Sequence, residues 1–187
     1  MQRFDEREID AVTNVIRSGK LSRFFQSFFG GENIIGFEVE VADYLDVKHA
    51  VSVSNGTVSL EISLKALRIG KGDEVITTPL SFIATGTAIL SVGAKPVFVD
   101  IDPQTLNLDP NKIEDAITKK TAAIIAVSLC GYPVALPHLY GICNDYGVYL
   151  IEDVAQSLGA SIANYKVGSY GDLSSLSFQE TKQISTM

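Results

Sequence analysis

Leu136-Pro137-His138-Leu139-Tyr140-Gly141-Ile142-Cys143-Asn144-Asp145-Tyr146 carries apolar residues at three- and four-residue intervals, and Val148-Tyr149-Leu150-Ile151-Glu152-Asp153 follows as a short apolar run closed by two acids. The first pattern predicts an amphipathic helix and the second a buried strand. Working outward, the pair repeats. Apolar runs at 50–53, 74–77, 96–100, 122–127 and 148–152, with a further one at 173–178, suit strands, while helical spacing fills 57–67, 82–92, 111–117 and 136–146. Strands separated by helix-length segments imply βαβ units, and therefore an α/β fold whose mainly parallel sheet is covered on both faces in a three-layer αβα arrangement. Gly70-Lys71-Gly72-Asp73 and Gly93-Ala94-Lys95-Pro96 punctuate helix ends, and Asp109-Pro110 starts a helix with proline in its first turn.

Residues 1–48 read as an N-terminal helical segment, with patterns at 6–16 and 37–45, ahead of an α/β core at 49–187. The connector 21–31 holds Phe24, Phe25, Phe28 and Phe29; it is too short for a bilayer, so its rings are assigned to packing or a subunit contact. A chain of 187 residues with 46% hydrophobic and 20% charged residues is long enough for one sizeable core. The net charge of −7 and a pI near 4.8 argue against nucleic-acid binding, which needs clustered cations, and only Lys119-Lys120 is such a pair. A small anion stays open as a ligand, because backbone dipoles bind phosphate even in an acidic protein. Without a basic, apolar leader or a membrane-length run, the sequence reads as soluble and cytoplasmic with no membrane partner. Cys130 and Cys143 lack CxxC spacing and are expected as buried reduced thiols; His49 and His138 are isolated and read as structural, not metal-binding. Neither GxGxxG nor GxxxxGK[ST] occurs.

Chemistry concentrates at the strand-to-helix crossings. Ser54-Asn55-Gly56-Thr57 opens a helix whose first amides have no helical partner, so it is either a capped helix start or a phosphate cup. Asp153 closes its strand where parallel sheets bind ligands, as a catalytic acid or as a cap. Gln156 in the same loop can hydrogen-bond a ligand or simply face water. Phe82, after Thr77-Thr78-Pro79-Leu80-Ser81, can stack on a flat cofactor or fill the core. Lys182 closes Ser177-Phe178-Gln179-Glu180-Thr181-Lys182; paired with Asp153 it suggests a Schiff-base lysine and a carboxylate that keeps a pyridine nitrogen protonated, the requirements of pyridoxal 5'-phosphate (PLP). Taken alone, the same lysine reads as a surface residue.

In order, these segments resemble the first half of the DegT/DnrJ/EryC1/StrS family of PLP-dependent sugar aminotransferases, fold-type I enzymes. Besides the stretches around Gly56, Asp153 and Lys182, the match includes Gly72-Asp73-Glu74-Val75-Ile76 and Gly93-Ala94-Lys95-Pro96-Val97-Phe98-Val99-Asp100-Ile101-Asp102. The resemblance implies that Lys182 carries the cofactor and Asp153 pairs with its ring nitrogen. It further implies that Gln156 lies near the phenolic oxygen, that Phe82 stacks on the ring, and that Gly56, Thr57 and Ser177 hold the phosphate. A homodimer, glutamate as amino donor and a keto sugar nucleotide as acceptor follow from the same resemblance, with a place in amino-sugar or surface polysaccharide biosynthesis. Lys182 argues against a dehydratase branch that has His there. The family continues with a Gly-rich turn, more strands of the sheet and a small C-terminal domain, so residues 1–187 are expected to be an incomplete PLP-binding large domain, inactive alone. The alternative is a truncated, non-catalytic remnant or interaction module of the same ancestry. Residues 24–35 lack the compact Gly-containing form usual in the family, which leaves the substrate-side loop open.

Overall fold

The computed structural model describes residues 4–21 and 31–186, in two compact units that divide between Ser52 and Val53. Phe24, Phe25, Phe28 and Phe29 lie outside the described residues. In the first unit, α1 (Glu6–Ser18) starts from a reciprocal cap. Asp5 accepts the Arg7 amide at 2.8 Å, and Glu8 accepts the Asp5 amide at 2.8 Å. Gly19 closes the helix at φ 68°, a left-handed conformation that costs glycine least. The second helix, α2 (Glu32–Leu45), begins earlier than the expected 37, with Gly31 as its cap residue.

The second unit holds a five-stranded, all-parallel sheet formed by β1 (Glu74–Thr77), β2 (Lys95–Phe98), β3 (Thr121–Val127), β4 (Tyr149–Asp153) and β7 (Leu173–Ser175), in the order β2-β1-β3-β4-β7. A small antiparallel hairpin, β5 (Ser161–Ile162) with β6 (Tyr165–Lys166), lies in the crossing from β4 to β7. The helices are α3 (Gly56–Ala66), α4 (Ala84–Ser91), the single turn α5 (Ile113–Ala116) preceded by a 3-10 turn at Pro110–Lys112, and α6 (Leu136–Tyr146). Expected strand 96–100 is shifted to Lys95–Phe98, and 173–178 shortens to three paired residues.

Residues 50–53 are not a strand. Val51 is 65% exposed and Val53 38%, and neither sheet edge, β2 or β7, pairs with them. An apolar run becomes a strand only where a ladder accepts its amides; here the Ser52 amide donates to the Glu38 carboxylate at 2.7 Å.

Two apolar clusters lie on opposite faces of the sheet, and the two-residue period of the strands sorts residues between them. Ile76, Ile124, Ala126 and Leu150 join Leu136, Leu139, Ile142 and Cys143 of α6. Their strand neighbours Val75, Ala123, Ile125 and Ile151 join Leu60 and Leu64 of α3 and Ala88 and Ile89 of α4. Each large aliphatic side chain removed from water in this way contributes about 1.5–3 kcal/mol. That is why runs such as Ala123–Ala126 read as continuously apolar: both faces are covered.

Candidate active site

The same alternation decides where the two acids of β4 go. Leu150 faces α6 and Ile151 faces α3 and α4, so Glu152 returns to the α6 side and Asp153 to the α4 side. Asp153 lies in register with Val127 and Ser175, at the carboxyl ends of three adjacent strands. Only 6% of it is exposed. Its Oδ2 accepts from the Thr85 hydroxyl at 2.8 Å and its Oδ1 from the Ala155 amide at 3.2 Å. Burial pushes the carboxyl above the usual range; the Thr85 hydroxyl, the Ala155 amide and the Lys182 charge pull it back less than burial raises it.

Asn55 caps α3, accepting the Val58 amide on its side chain at 2.9 Å, while the Ser59 amide bonds the Asn55 carbonyl at 3.0 Å. The amides of Gly56 and Thr57 therefore precede the first helical bond and belong to the donor-rich end of the helix. Ser175 on β7 donates its hydroxyl to the Gly56 carbonyl at 3.1 Å, tying that helix end to the last strand. A Cβ on Gly56 would stand 3.3 Å from Ser177 Cβ and 3.4 Å from the Leu176 carbonyl. Sequence-distant Gly56 and Ser177 are thus in contact range, and a side chain at 56 would crowd the space between them.

Lys182 sits in a turn in which its amide bonds the Gln179 carbonyl at 2.9 Å. Gln183 beside it donates its side-chain amide to the Gln156 carbonyl at 2.7 Å, docking this loop on the one that follows Asp153. The Gln156 Oε1 faces the Cys130 amide at 3.4 Å and the Cys130 thiol at 3.8 Å. Phe82 is 67% exposed, so it is not a core phenylalanine. It lies just before α4, whose observed start is Ala84, and shares a turn with Ser81 and Thr85; Thr85 reaches Asp153, and Ser81 bonds the Thr85 hydroxyl at 2.9 Å.

Cys130 corrects an expectation. It is exposed, in the 3-10 turn Leu129–Gly131 after β3, with φ 50°; only Cys143 is buried, and burial together with Asp172 pushes its thiol up to about 12. His49 and His138 are both exposed, and among the described residues no group of His, Cys, Asp or Glu is arranged to hold a metal. No helix among the described residues is long and apolar enough to cross a membrane.

Sequence reasoning missed Ser81, Thr85 and Gln183. Ser81 and Thr85 stand at i and i+4, the spacing that brings side chains together at a helix start. Their target lies 68 positions beyond Thr85, and no local pattern announces it.

Residues 2–187 match the profile of the DegT/DnrJ/EryC1/StrS aminotransferase family. The chain is 40% identical over 156 residues to a GDP-perosamine synthase from Vibrio cholerae, a match that covers 83% of this chain and 42% of that protein. Its fold superposes on an aminotransferase from Psychrobacter cryohalolentis with a TM-score of 0.92 and 37% identity, over 97% of this chain and 45% of the other. NtdA from Bacillus subtilis with bound cofactor PMP aligns with a TM-score of 0.86 and 36% identity, over 97% and 40%. The chain spans less than half the length of these relatives.

Proposed function

The chain belongs to the DegT/DnrJ/EryC1/StrS aminotransferase family, and from that premise we propose that it carries the PLP-binding half of an aminotransferase. In this reading the enzyme moves an amino group, from glutamate, to the keto carbon of a nucleotide-linked sugar, and works as a homodimer in amino-sugar or surface polysaccharide biosynthesis. The observation that carries the reading is Asp153: a carboxylate almost wholly buried at the ligand-binding end of a parallel sheet, bonded by a hydroxyl and an amide, with the Lys182 charge within reach.

The residues present fit PLP. The space beside Gly56 that a Cβ would crowd, the leading amides of α3 and the Ser177 hydroxyl suit a phosphate. The exposed Phe82 ring suits a flat heterocycle. When bound, PLP supplies an aldehyde that condenses with amines and a protonated ring that withdraws electrons from the carbon being deprotonated. Lys182 Nζ would hold the group and, as a free amine, would take and return the proton at that carbon. Asp153 would hold the proton on the ring nitrogen. Gln156, with Oε1 turned to Cys130, would have its Nε2 donor for the phenolic oxygen.

The test is borohydride trapping in the intact protein. Wild type gains a reduced PLP adduct on Lys182, located by peptide mass spectrometry, and Lys182→Ala gains none and loses the visible absorbance of bound PLP. An adduct of equal yield on another lysine removes Lys182 from the site.

A further inference from the structure

Helix α4 contains three hydroxyl residues, and two of them behave as helical hydroxyls ordinarily do. Thr87 bonds back to the Ala84 carbonyl at 3.3 Å and Ser91 to the Ala88 carbonyl at 2.8 Å. Thr85 does not. Its hydroxyl leaves the helix, crosses to the sheet and reaches Asp153 Oδ2 at 2.8 Å, with Ser81 Oγ at 2.9 Å on its other side. Thr85 is 1% exposed and its bond to Asp153 is buried, whereas Ser81 on the outer side is half-buried.

The direction of this chain is set by valence. An ionised carboxylate only accepts, and Thr85 has one hydroxyl proton, so that proton goes to Asp153 and Thr85 receives its second bond as an acceptor from Ser81. The order is Ser81 to Thr85 to Asp153. A hydroxyl that is itself hydrogen-bonded as an acceptor becomes a better donor, and inside the protein that polarisation is not screened. With the Ala155 amide on Oδ1, each carboxylate oxygen has one partner and keeps lone-pair capacity for another.

We propose that the Ser81–Thr85 hydroxyl pair is a positioning device for Asp153, holding its carboxylate ionised and fixed in orientation so that it can pair with a cationic ring nitrogen. The assignment rests on the PLP reading above and adds to it two residues on the turn that also carries Phe82. Ring-facing and nitrogen-facing groups are therefore set by one turn, and a shift of α4 moves both together. The charge that acts on the carboxylate is Lys182, which favours the ionised form, while Glu152 lies on the opposite face of the same strand. Burial alone works against ionisation, and the hydroxyl is the strongest single influence opposing it.

Thr85→Val keeps the shape and deletes the hydroxyl, whereas Thr85→Ser keeps the hydroxyl. In cofactor-free protein with carbon-13-labelled aspartate, and with Asp153→Asn to assign the signal, Asp153 titrates at higher pH in Thr85→Val and at the wild-type midpoint in Thr85→Ser. Ser81→Ala moves it the same way by less. In protein loaded with ring-nitrogen-15 PLP, Thr85→Val retains the Lys182 adduct but shows a smaller protonated fraction of ring nitrogen, and its half-reaction with L-glutamate slows by roughly 10- to 100-fold, the worth of one hydrogen bond to a charged group. An unchanged Asp153 midpoint in Thr85→Val, or an equal shift in Thr85→Ser, overturns the proposal. Absence of any Lys182 adduct in wild type would instead defeat the PLP reading, and the aspartate titration still decides the role of Thr85. Should Thr85→Val fail to fold, the Ser81→Ala titration decides: no shift there overturns the device.

Discussion

Glu152 and Asp153 are adjacent on one strand, both buried, both acids raised by desolvation, and their surroundings are opposite in kind. On the α6 side Glu152 takes three backbone amides: Gly168 at 2.7 Å, Tyr170 at 2.7 Å and Gly171 at 2.8 Å. Those amides all come from the crossing between the hairpin and β7, so Glu152 does the work of tying an irregular loop to the sheet. On the α4 side Asp153 has one hydroxyl and one amide, and a lysine charge nearby. A carboxylate wrapped in three main-chain donors is structural; one held by a single hydroxyl and a single amide at a strand end keeps capacity for a ligand. The difference separates a residue that shapes the fold from one that the fold presents.

The comparison breaks most visibly under amide substitution. Asp153→Asn should retain PLP and the Lys182 adduct while its half-reaction falls by about 10²–10³, the scale for removing one preorganised electrostatic group. Glu152→Gln should do the reverse, costing about 2–4 kcal/mol of folding free energy because its NH2 meets amides that need an acceptor, with near-wild-type chemistry in whatever folds. Urea unfolding and single-turnover absorbance separate the two. Near-normal turnover in Asp153→Asn, or a large chemical defect without a stability loss in Glu152→Gln, would reverse the assignment.

Much of this was legible in the residues. Glu74–Thr77 and Leu136–Tyr146 occupy their expected ranges because each is a simple pattern, an all-buried run and a helical stripe, bounded by its own breakers. The parallel sheet with helices on both faces follows from their alternation, and the family match and TM-score bear out both the recognition and the fold class. What failed depends on partners far along the chain. Val51 and Val53 look like a strand yet find no ladder, and Cys130 looks like a buried strand end yet stands on an exposed left-handed turn. The candidate residues could be picked out as positions, but the bonds among them could not. Asp153 and Gly56 announce themselves at element ends, whereas the bonds from Thr85 to Asp153 and from Gln183 to Gln156 exist only once the sheet has brought remote turns together.

A glycine on each side gives a second, smaller contrast. A Cβ on Gly171 would lie 2.6 Å from the Leu150 carbonyl oxygen, which is backbone and cannot step aside. Gly171→Ala should therefore cost about 1–3 kcal/mol in a urea melt. On Gly56 the nearest atoms are Ser177 Cβ at 3.3 Å and the Leu176 carbonyl oxygen at 3.4 Å, a much milder approach than 2.6 Å. Gly56→Ala should leave the cofactor-free melt within about 1 kcal/mol of wild type and weaken PLP binding instead, read by equilibrium dialysis. Equal effects of both substitutions on stability would erase the distinction between a packing glycine and a cradle glycine.

Protonation sharpens the comparison further. Both carboxyls are raised in the folded protein, first by burial. A raised acid binds more protons folded than unfolded, so its contribution to stability is present below the free-acid value, about 4, and is lost as pH rises through the folded value. Asp153→Asn removes the ionising group, so the melting temperature of its cofactor-free form should gain on wild type across that window, by about 2–4 °C for each kcal/mol relieved. Glu74 and Asp109 are lowered and drift the opposite way, which is why the variant-minus-wild-type difference is the quantity to follow. A difference that is flat with pH would mean that Asp153 ionises without cost, against its burial.

The smallest effect uses the two thiols as reporters of the two faces. Cys143 packs in the α6-side cluster, where burial and the Asp172 charge lift it to about 12; the thiolate is the reactive form, so at pH 8 it is almost silent. Cys130 is exposed beside Gln156, on the turn that faces the proposed cofactor site. A disulfide reagent at pH 8 should therefore label one thiol readily, identified by mass spectrometry as Cys130, and the second only when the protein unfolds. PLP should slow the first labelling by about two- to fivefold, because a ligand that stabilises the surrounding loops lowers the population of open forms without closing the turn. Fast labelling of Cys143 in native protein would show that the α6 face opens independently. Glu152 and its three amides would then not be the rigid half of the pair.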